Sequence, residues 1–155
     1  MSRQSLSQDL TVGRIGRHVA ATDGGRIALD DGSRRVSYRE LDRQAAALAG
    51  ALAQIGVARG DVVSAYLPNC IEYVITVLAV ARAGAIFSPL NPRFRSGELG
   101  GIVAQSKPRV VVVDDSRVTV LRDALGAAGL RAQLVVCGDE SAEAGSTWSE
   151  ARTSS

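Results

Sequence analysis

Four short apolar runs, Val62–Leu67, Ala85–Leu90, Arg109–Val113 and Gln133–Cys137, recur along the chain, each separated from the next by a stretch with helical periodicity. Runs of five or six residues are too short for core helices and suit strands buried on both faces. With a helix between each pair the strands cannot close as hairpins, so the pattern predicts right-handed βαβ crossovers and a parallel sheet. The chain has 155 residues, 46% of them hydrophobic, enough for one buried core. The fold class predicted is α/β, a parallel sheet of βαβ units preceded by a short helix and a β-hairpin.

The intervening stretches carry their own signals. Ser37 precedes Glu40 by three residues, the S-x-x-E spacing in which each side chain caps the other's backbone at a helix start. Leu41, Ala45, Leu48, Leu52 and Ile55 then fall on one helical stripe, which leaves Arg39, Asp42 and Arg43 to face water, and Gly56 is placed to end the helix in the left-handed conformation. Asn69 is a candidate cap for a second helix, Cys70 to Ala83, which is apolar almost all round and so predicts burial between other elements. Further helices are expected over Ser96 to Gln105 and Val118 to Ala128. Gly97, Gly100 and Gly101 crowd the first of these, each costing about 0.5 to 1 kcal/mol relative to alanine, so close packing or an irregular first turn is expected there.

Ahead of the sheet, Val12, Ile15 and Val19 at i, i+3 and i+7 predict a short amphipathic helix over Thr11 to Ala21. Asp31-Gly32 lies between two strand-like runs, Arg26 to Asp30 and Ser33 to Val36, and predicts a two-residue hairpin with φ > 0 at both turn positions. Residues 1–10 are expected to be a flexible N-terminus, 11–137 one subdomain, and 138–155 a loop or disordered tail without periodicity.

Composition excludes several functions. Lys plus Arg is 18 and Asp plus Glu 16, interspersed rather than clustered, so nucleic-acid binding is not supported. The longest apolar stretch, Ile71 to Leu90, is broken by Glu72, Arg82, Gly84 and Pro89 and falls short of the roughly 20 clean residues of a membrane span. The first residues have no secretory apolar segment, and a cytoplasmic location is expected. Cys70 and Cys137 share no metal-ligand spacing and read as reduced packing residues, and the sole histidine, His18, has no ligand partner nearby in sequence. No Ser/His/Asp or Cys/His set can be assembled.

Ligands of open parallel sheets collect outside the carboxyl ends of the strands. Those ends are Pro68-Asn69, Asn91-Pro92-Arg93, Asp114-Asp115 and Cys137-Gly138-Asp139. Arg93, preceded by the stiff Asn-Pro, is a candidate for a bidentate phosphate contact, the alternative being a surface arginine or one paired with a carboxylate. Asp114-Asp115 reads as a strand-ending Asx turn rather than a metal or ribose contact. Binding of a nucleoside triphosphate would call for a Gly/Ser/Thr-rich loop with Lys or Arg, and the only lysine, Lys107, precedes Pro108 at a helix-to-strand junction where solvation is its expected role.

The ordered run Tyr38-x-Glu40-Leu41, Gly56-x4-Asp61 with Val62-Val63, Pro68-Asn69, Gly84-Ala85 and Pro89-x-Asn91-Pro92 resembles the amino-terminal subdomain of the adenylate-forming, AMP-binding enzymes. That superfamily comprises acyl-CoA and aryl-CoA synthetases, luciferases and nonribosomal adenylation domains. The run from Asn91 to Leu99 is most similar to the CoA ligases. The resemblance implies a parent enzyme that joins a small-molecule carboxylic acid to CoA with ATP and Mg²⁺, through an acyl-adenylate. It also implies that Arg93 helps hold the CoA nucleotide phosphate, the one cofactor contact assigned to this chain. No residue is assigned a catalytic or metal-binding role. The family's phosphate loop and the domain carrying its catalytic lysine are not in the sequence, so the 155 residues are expected to be an inactive portion of such a ligase. The alternative is a non-catalytic binding or assembly module, self-associating through exposed sheet edges.

Overall fold

A computed structural model of the chain describes residues 11–137 and 148–151. The expected flexible N-terminus, residues 1–10, lies outside the described residues. Helix α1 (Val12–Asp23) leads into a two-stranded antiparallel hairpin, β1 (Ile27–Asp30) and β2 (Arg35–Ser37), and then into α2 (Tyr38–Gln54). The alternating part follows as β3 (Val62–Tyr66), α3 (Ile71–Ala83), β4 (Ile86–Pro89), α4 (Ser96–Ser106), β5 (Val110–Asp114), α5 (Val118–Ala127) and β6 (Gln133–Cys137). A last strand, β7 (Trp148–Ala151), completes a five-stranded sheet of order β4-β3-β5-β6-β7.

The four strands read from the sequence are parallel, as their helical connections require. β7 runs antiparallel to β6, pairing Cys137 with Trp148 through to Leu134 with Ala151. This corrects the expected tail over 138–155 for residues 148–151. The outer rim of β6 supplies backbone partners that a four-residue strand can use without a hydrophobic alternation of its own. The remainder of that tail lies outside the described residues.

Two cores line the two faces of the sheet. Val110 and Val112 of β5 point to one face with Val63, Ala65 and Val135, against Leu41, Ala45, Leu48 and Leu52 of α2 and Ile71, Ile75, Ala79 and Val80 of α3. Val111 and Val113 point to the other, with Tyr66, Leu134 and Val136, against Leu99 and Val103 of α4 and Leu121, Ala124 and Leu125 of α5. The period-2 alternation of a strand thus feeds both cores, which is why Val110 to Val113 are all fully buried.

Several local expectations need revision. α1 forms, but Val12 and Ile15 do not face the core: they are 58% and 47% exposed, Val19 is half-buried, and Gly13 and Gly16 approach the α2–α3 layer. Small residues let the helix backbone come close to its neighbour, which an aliphatic stripe cannot. The hairpin loop spans four residues, with Asp30 paired to Arg35, and only Gly32 takes a positive φ, +88°. The Asp31 carboxylate organises the loop by accepting the Arg34 and Ser33 N–H groups at 2.9 and 3.0 Å, and these bonds hold it below the ordinary carboxylate range. Ser37 caps α2 by accepting the Glu40 N–H at 3.3 Å, but Glu40 turns to Arg43 and Gln44, so only half of the reciprocal cap forms. Asp42 does not face water; it pairs with Arg82 of α3. Cys70, not Asn69, occupies the cap position of α3.

Gly56 does end α2 with φ +83°, as expected. The glycines of α4 leave the helix intact without close packing: an added Cβ meets nothing within 4 Å at Gly97 or Gly101 and only the Ala124 carbonyl, at 3.8 Å, at Gly100.

Candidate functional site at the carboxyl edge of the sheet

The strand order places a topological switch point between β3 and β5. From β3 the chain crosses through α3 to β4 on one side, then returns past β3 through α4, on the opposite face, to β5. The connections that leave the carboxyl ends of β3 and β5, through α3 to β4 and through α5 to β6, run in opposite directions on opposite faces, and the crevice between such strand ends is the general ligand position in sheets of this kind. Leu67 to Cys70 and Asp114 to Arg117 form its two lips.

The loop after β4 is held at the same end of the sheet. Asn91 to Phe94 is a turn closed by the Phe94 N–H donating to the Asn91 carbonyl at 3.0 Å, and the Asn91 side chain accepts the Arg93 N–H at 3.0 Å. Pro92 presets the first central position of this turn. The Tyr66 hydroxyl at the end of β3 donates to the Phe94 carbonyl at 2.6 Å. Arg117, in the short turn after β5, pairs with Asp114 and donates through Nε to the Pro92 carbonyl at 3.5 Å. Glu98 accepts the Arg95 N–H at 3.0 Å and fixes the start of α4.

Arg93 therefore sits on a braced turn with its side chain exposed and makes no ion pair among the described residues. Asp114 behaves as the strand-ending turn residue expected, engaged by the Ser116 hydroxyl and by Arg117. Lys107 is exposed, ends α4 in the left-handed region at φ 46°, and lies at the opposite, amino end of β5. His18 is exposed on α1, away from the sheet. The Arg34-Arg35 pair is neutralised by acids: Arg34 by Glu72, and Arg35 by Asp30 at 2.8 Å.

Tyr66 and Arg117 are site residues that sequence reasoning missed. Tyr66 reads only as part of an apolar run, and Arg117 as one charge at a helix start; the switch point that joins them depends on strand order, which no local pattern encodes. Burial pushes the Tyr66 phenol above its ordinary value, so it remains a hydrogen-bond donor at neutral pH. Among the described residues no three His, Cys, Asp or Glu side chains converge as metal ligands. The junctions at Leu67, Leu90 and Asp114 carry no Gly/Ser/Thr-rich loop of the kind that cradles a triphosphate.

The sequence matches the family model of the AMP-binding enzymes over residues 16–154, and the chain belongs to that family. It corresponds to the amino-terminal portion of an adenylate-forming enzyme. It is 38% identical over 104 residues to the mouse (Mus musculus) mitochondrial acyl-CoA synthetase short-chain family member 3, spanning 63% of this chain and 15% of that protein. It is 29% identical over 138 residues to a naringenin synthase of Pestalotiopsis fici, spanning 89% of this chain and 5% of that protein. Among solved structures, a provisionally named long-chain-fatty-acid CoA ligase of Rhodopseudomonas palustris superposes with a TM-score of 0.78 at 30% identity, covering 87% of this chain and 34% of the other. The chain thus spans a small part of the length of each. No helix among the described residues is long and apolar enough to cross a membrane.

Proposed function

We propose that the chain is the amino-terminal part of an AMP-forming acyl-CoA or aryl-CoA ligase and that it presents Arg93 to the nucleotide phosphate of CoA. In the parent reaction a carboxylate oxygen attacks the α-phosphorus of ATP, giving acyl-adenylate and pyrophosphate, and the CoA thiol then displaces AMP to leave the thioester. The observation that carries the reading is the exposed Arg93 guanidinium on the braced Asn91–Phe94 turn beside the switch point. A planar guanidinium there matches a phosphate with two parallel hydrogen bonds. The similarity to a CoA ligase and a short-chain acyl-CoA synthetase supports the thiol acceptor. Carboxylic acid, ATP, Mg²⁺ and CoA are accordingly the proposed ligands of the parent.

The 155 residues alone are proposed not to catalyse adenylation. The groups this chain contributes bind and orient; those that would contact the triphosphate are not among them. ATP–pyrophosphate exchange with a panel of carboxylates tests this, and clear exchange by the isolated chain would overturn it. In a complete relative, Arg93→Ala at the matching position is expected to raise KM for CoA more than KM for ATP; equal effects remove Arg93 from the CoA site. The cytoplasm is the proposed compartment, supported by two cysteines that remain thiols.

A second reading, an assembly module that self-associates through a sheet edge, rests on β4. With β7 covering β6, β4 is the outer strand on the other side, and Ile86 there is 54% exposed. The Ile86 and Leu90 amides donate inward, to the Asp61 carbonyl just ahead of β3 and the Ala65 carbonyl within it, so position 89 presents its backbone nitrogen outward. Proline at that position removes an outward donor and blunts the edge. Concentration-dependent sedimentation that Ile86→Lys abolishes would favour this reading.

A further inference from the structure

Pro92 and Phe94, the residues on either side of Arg93, each offer a carbonyl to a different neighbouring strand. Phe94 O accepts the Tyr66 hydroxyl from β3 at 2.6 Å, and Pro92 O accepts Arg117 Nε from beyond β5 at 3.5 Å. The Arg93 N–H is held by Asn91 at 3.0 Å, so the backbone is fixed before, at and after Arg93 while its side chain stays exposed. Tyr66 is 2% exposed and has no freedom to move away. Arg117 is in turn oriented by Asp114 through an ion pair, with the Ser116 hydroxyl 3.3 Å from the same Nη1.

We propose that Tyr66 and Arg117 are positioning residues that aim Arg93 at the phosphate of the CoA nucleotide. This rests on the reading of Arg93 given above. An arginine side chain loses several rotatable bonds on binding, and bidentate contact with phosphate tolerates little misdirection. A Cα and two peptide planes fixed in advance hold the root of the side chain still, so only its own rotors remain to be ordered on binding. The brace spans the switch point itself, since one partner belongs to β3 and the other follows β5.

Two readouts on the full 155-residue chain test the proposal. The first is amide hydrogen exchange by NMR, which needs no ligand. Tyr66→Phe and Arg117→Gln are expected to speed exchange at Arg93 and Phe94 about tenfold, the scale of one lost hydrogen bond, while the β5 amides keep their protection. The second is titration with CoA and with dephospho-CoA, which lacks the ribose phosphate. Wild type is expected to prefer CoA, Arg93→Ala to lose the preference, and each positioning variant to lose about tenfold of it with dephospho-CoA affinity unchanged.

A purely structural role would weaken both probes alike. Unchanged exchange at Arg93 and Phe94 in both variants overturns the positioning role, and a CoA preference that neither variant alters overturns the aim. Absence of any preference in wild type overturns the phosphate reading of Arg93 itself, while the exchange result still decides whether Tyr66 and Arg117 fix its backbone. Arg117 is 29% exposed in a surface turn, so its variants retain the fold if Tyr66→Phe does not.

Discussion

A Cβ placed on Gly13 of α1 would lie 2.8 Å from the Ala81 carbonyl oxygen of α3 and 3.0 Å from the Arg82 Cα. Two helix backbones meet at this point with no side chain between them. Replacing Gly13 by alanine raises intrinsic helix propensity by about 1 kcal/mol, but the added methyl must push α1 off backbone atoms that cannot rotate away. Gly13→Ala is therefore expected to destabilise by about 1 to 2 kcal/mol net. Urea unfolding is the measurement, and a stabilised Gly13→Ala variant would refute the contact.

Arg82 and Asp42 give the same helix layer its charge pair. The Arg82 side chain is 15% exposed and that of Asp42 21%, and Arg82 also donates to the Asp42 carbonyl at 3.4 Å. Asp42→Ala leaves a mostly buried guanidinium without its carboxylate and is expected to cost about 2 kcal/mol. Asp42→Leu combined with Arg82→Met removes both charges and is expected to cost less than either change alone. Strict additivity in that double-mutant cycle would show the pair to be uncoupled.

How much of this was readable from residues alone depended on whether the determinant was local. The stripe Leu41, Ala45, Leu48 and Leu52 of α2 and the run Val110 to Val113 of β5 announce themselves because burial imposes a period on the sequence. Asp42 misleads for the same reason: it lies off that stripe, and only α3, packed 40 residues later, supplies its partner. In α1 the apolar period points to Val12 and Ile15, whereas the contact is made by Gly13 and Gly16, whose lack of side chain is the feature that matters. Arg93 is legible as a strand-end arginine after Asn-Pro. Tyr66 and Arg117 are not, because they meet its turn only after β3 and β5 become neighbours.

The glycines of α4 offer a gain in stability. Gly97 and Gly101 have open space where a Cβ would stand, and Gly100 has an ordinary 3.8 Å contact. Each change to alanine is expected to stabilise by about 0.5 to 1 kcal/mol, through both helix propensity and a less flexible unfolded chain. Thermal melts of Gly97→Ala, Gly101→Ala and the double variant check this, and the two effects should add across sites four residues apart. A loss of stability at either position would refute the open space there.

Lys107 is the only non-glycine with positive φ among the described residues, at φ 46° and ψ 58° where α4 ends. Its N–H donates to the Val103 carbonyl at 2.8 Å, so the conformation closes the helix. An L-residue there carries about 1 kcal/mol of strain that glycine avoids, and the exposed lysine side chain has little packing to lose. Lys107→Gly is expected to be neutral to stabilising by up to about 1 kcal/mol, since the greater freedom of glycine in the unfolded chain offsets part of the relief. Lys107→Val, β-branched and ill-suited to this region, should destabilise relative to lysine in the same urea titration.

Cys137 ends β6 with its thiol donating to the Val113 carbonyl at 3.4 Å, and burial pushes that thiol up to about 12. In the unfolded chain its value returns to about 8.5. The folded state therefore binds the proton more tightly. The stability this contributes is fully present below about pH 8.5 and is lost as pH rises toward 12. At pH 8 only about one native Cys137 in ten thousand is thiolate, against about one in four when unfolded, so alkylation by iodoacetamide should be slower in the native chain by about a thousandfold, down to a floor set by transient opening. Mass-resolved labelling at Cys137 with and without urea measures the ratio, and Cys137→Ser should flatten the decline in stability above pH 9. Native labelling as fast as that in urea would show the thiol to be ionised or unburied, contrary to its place beneath α3.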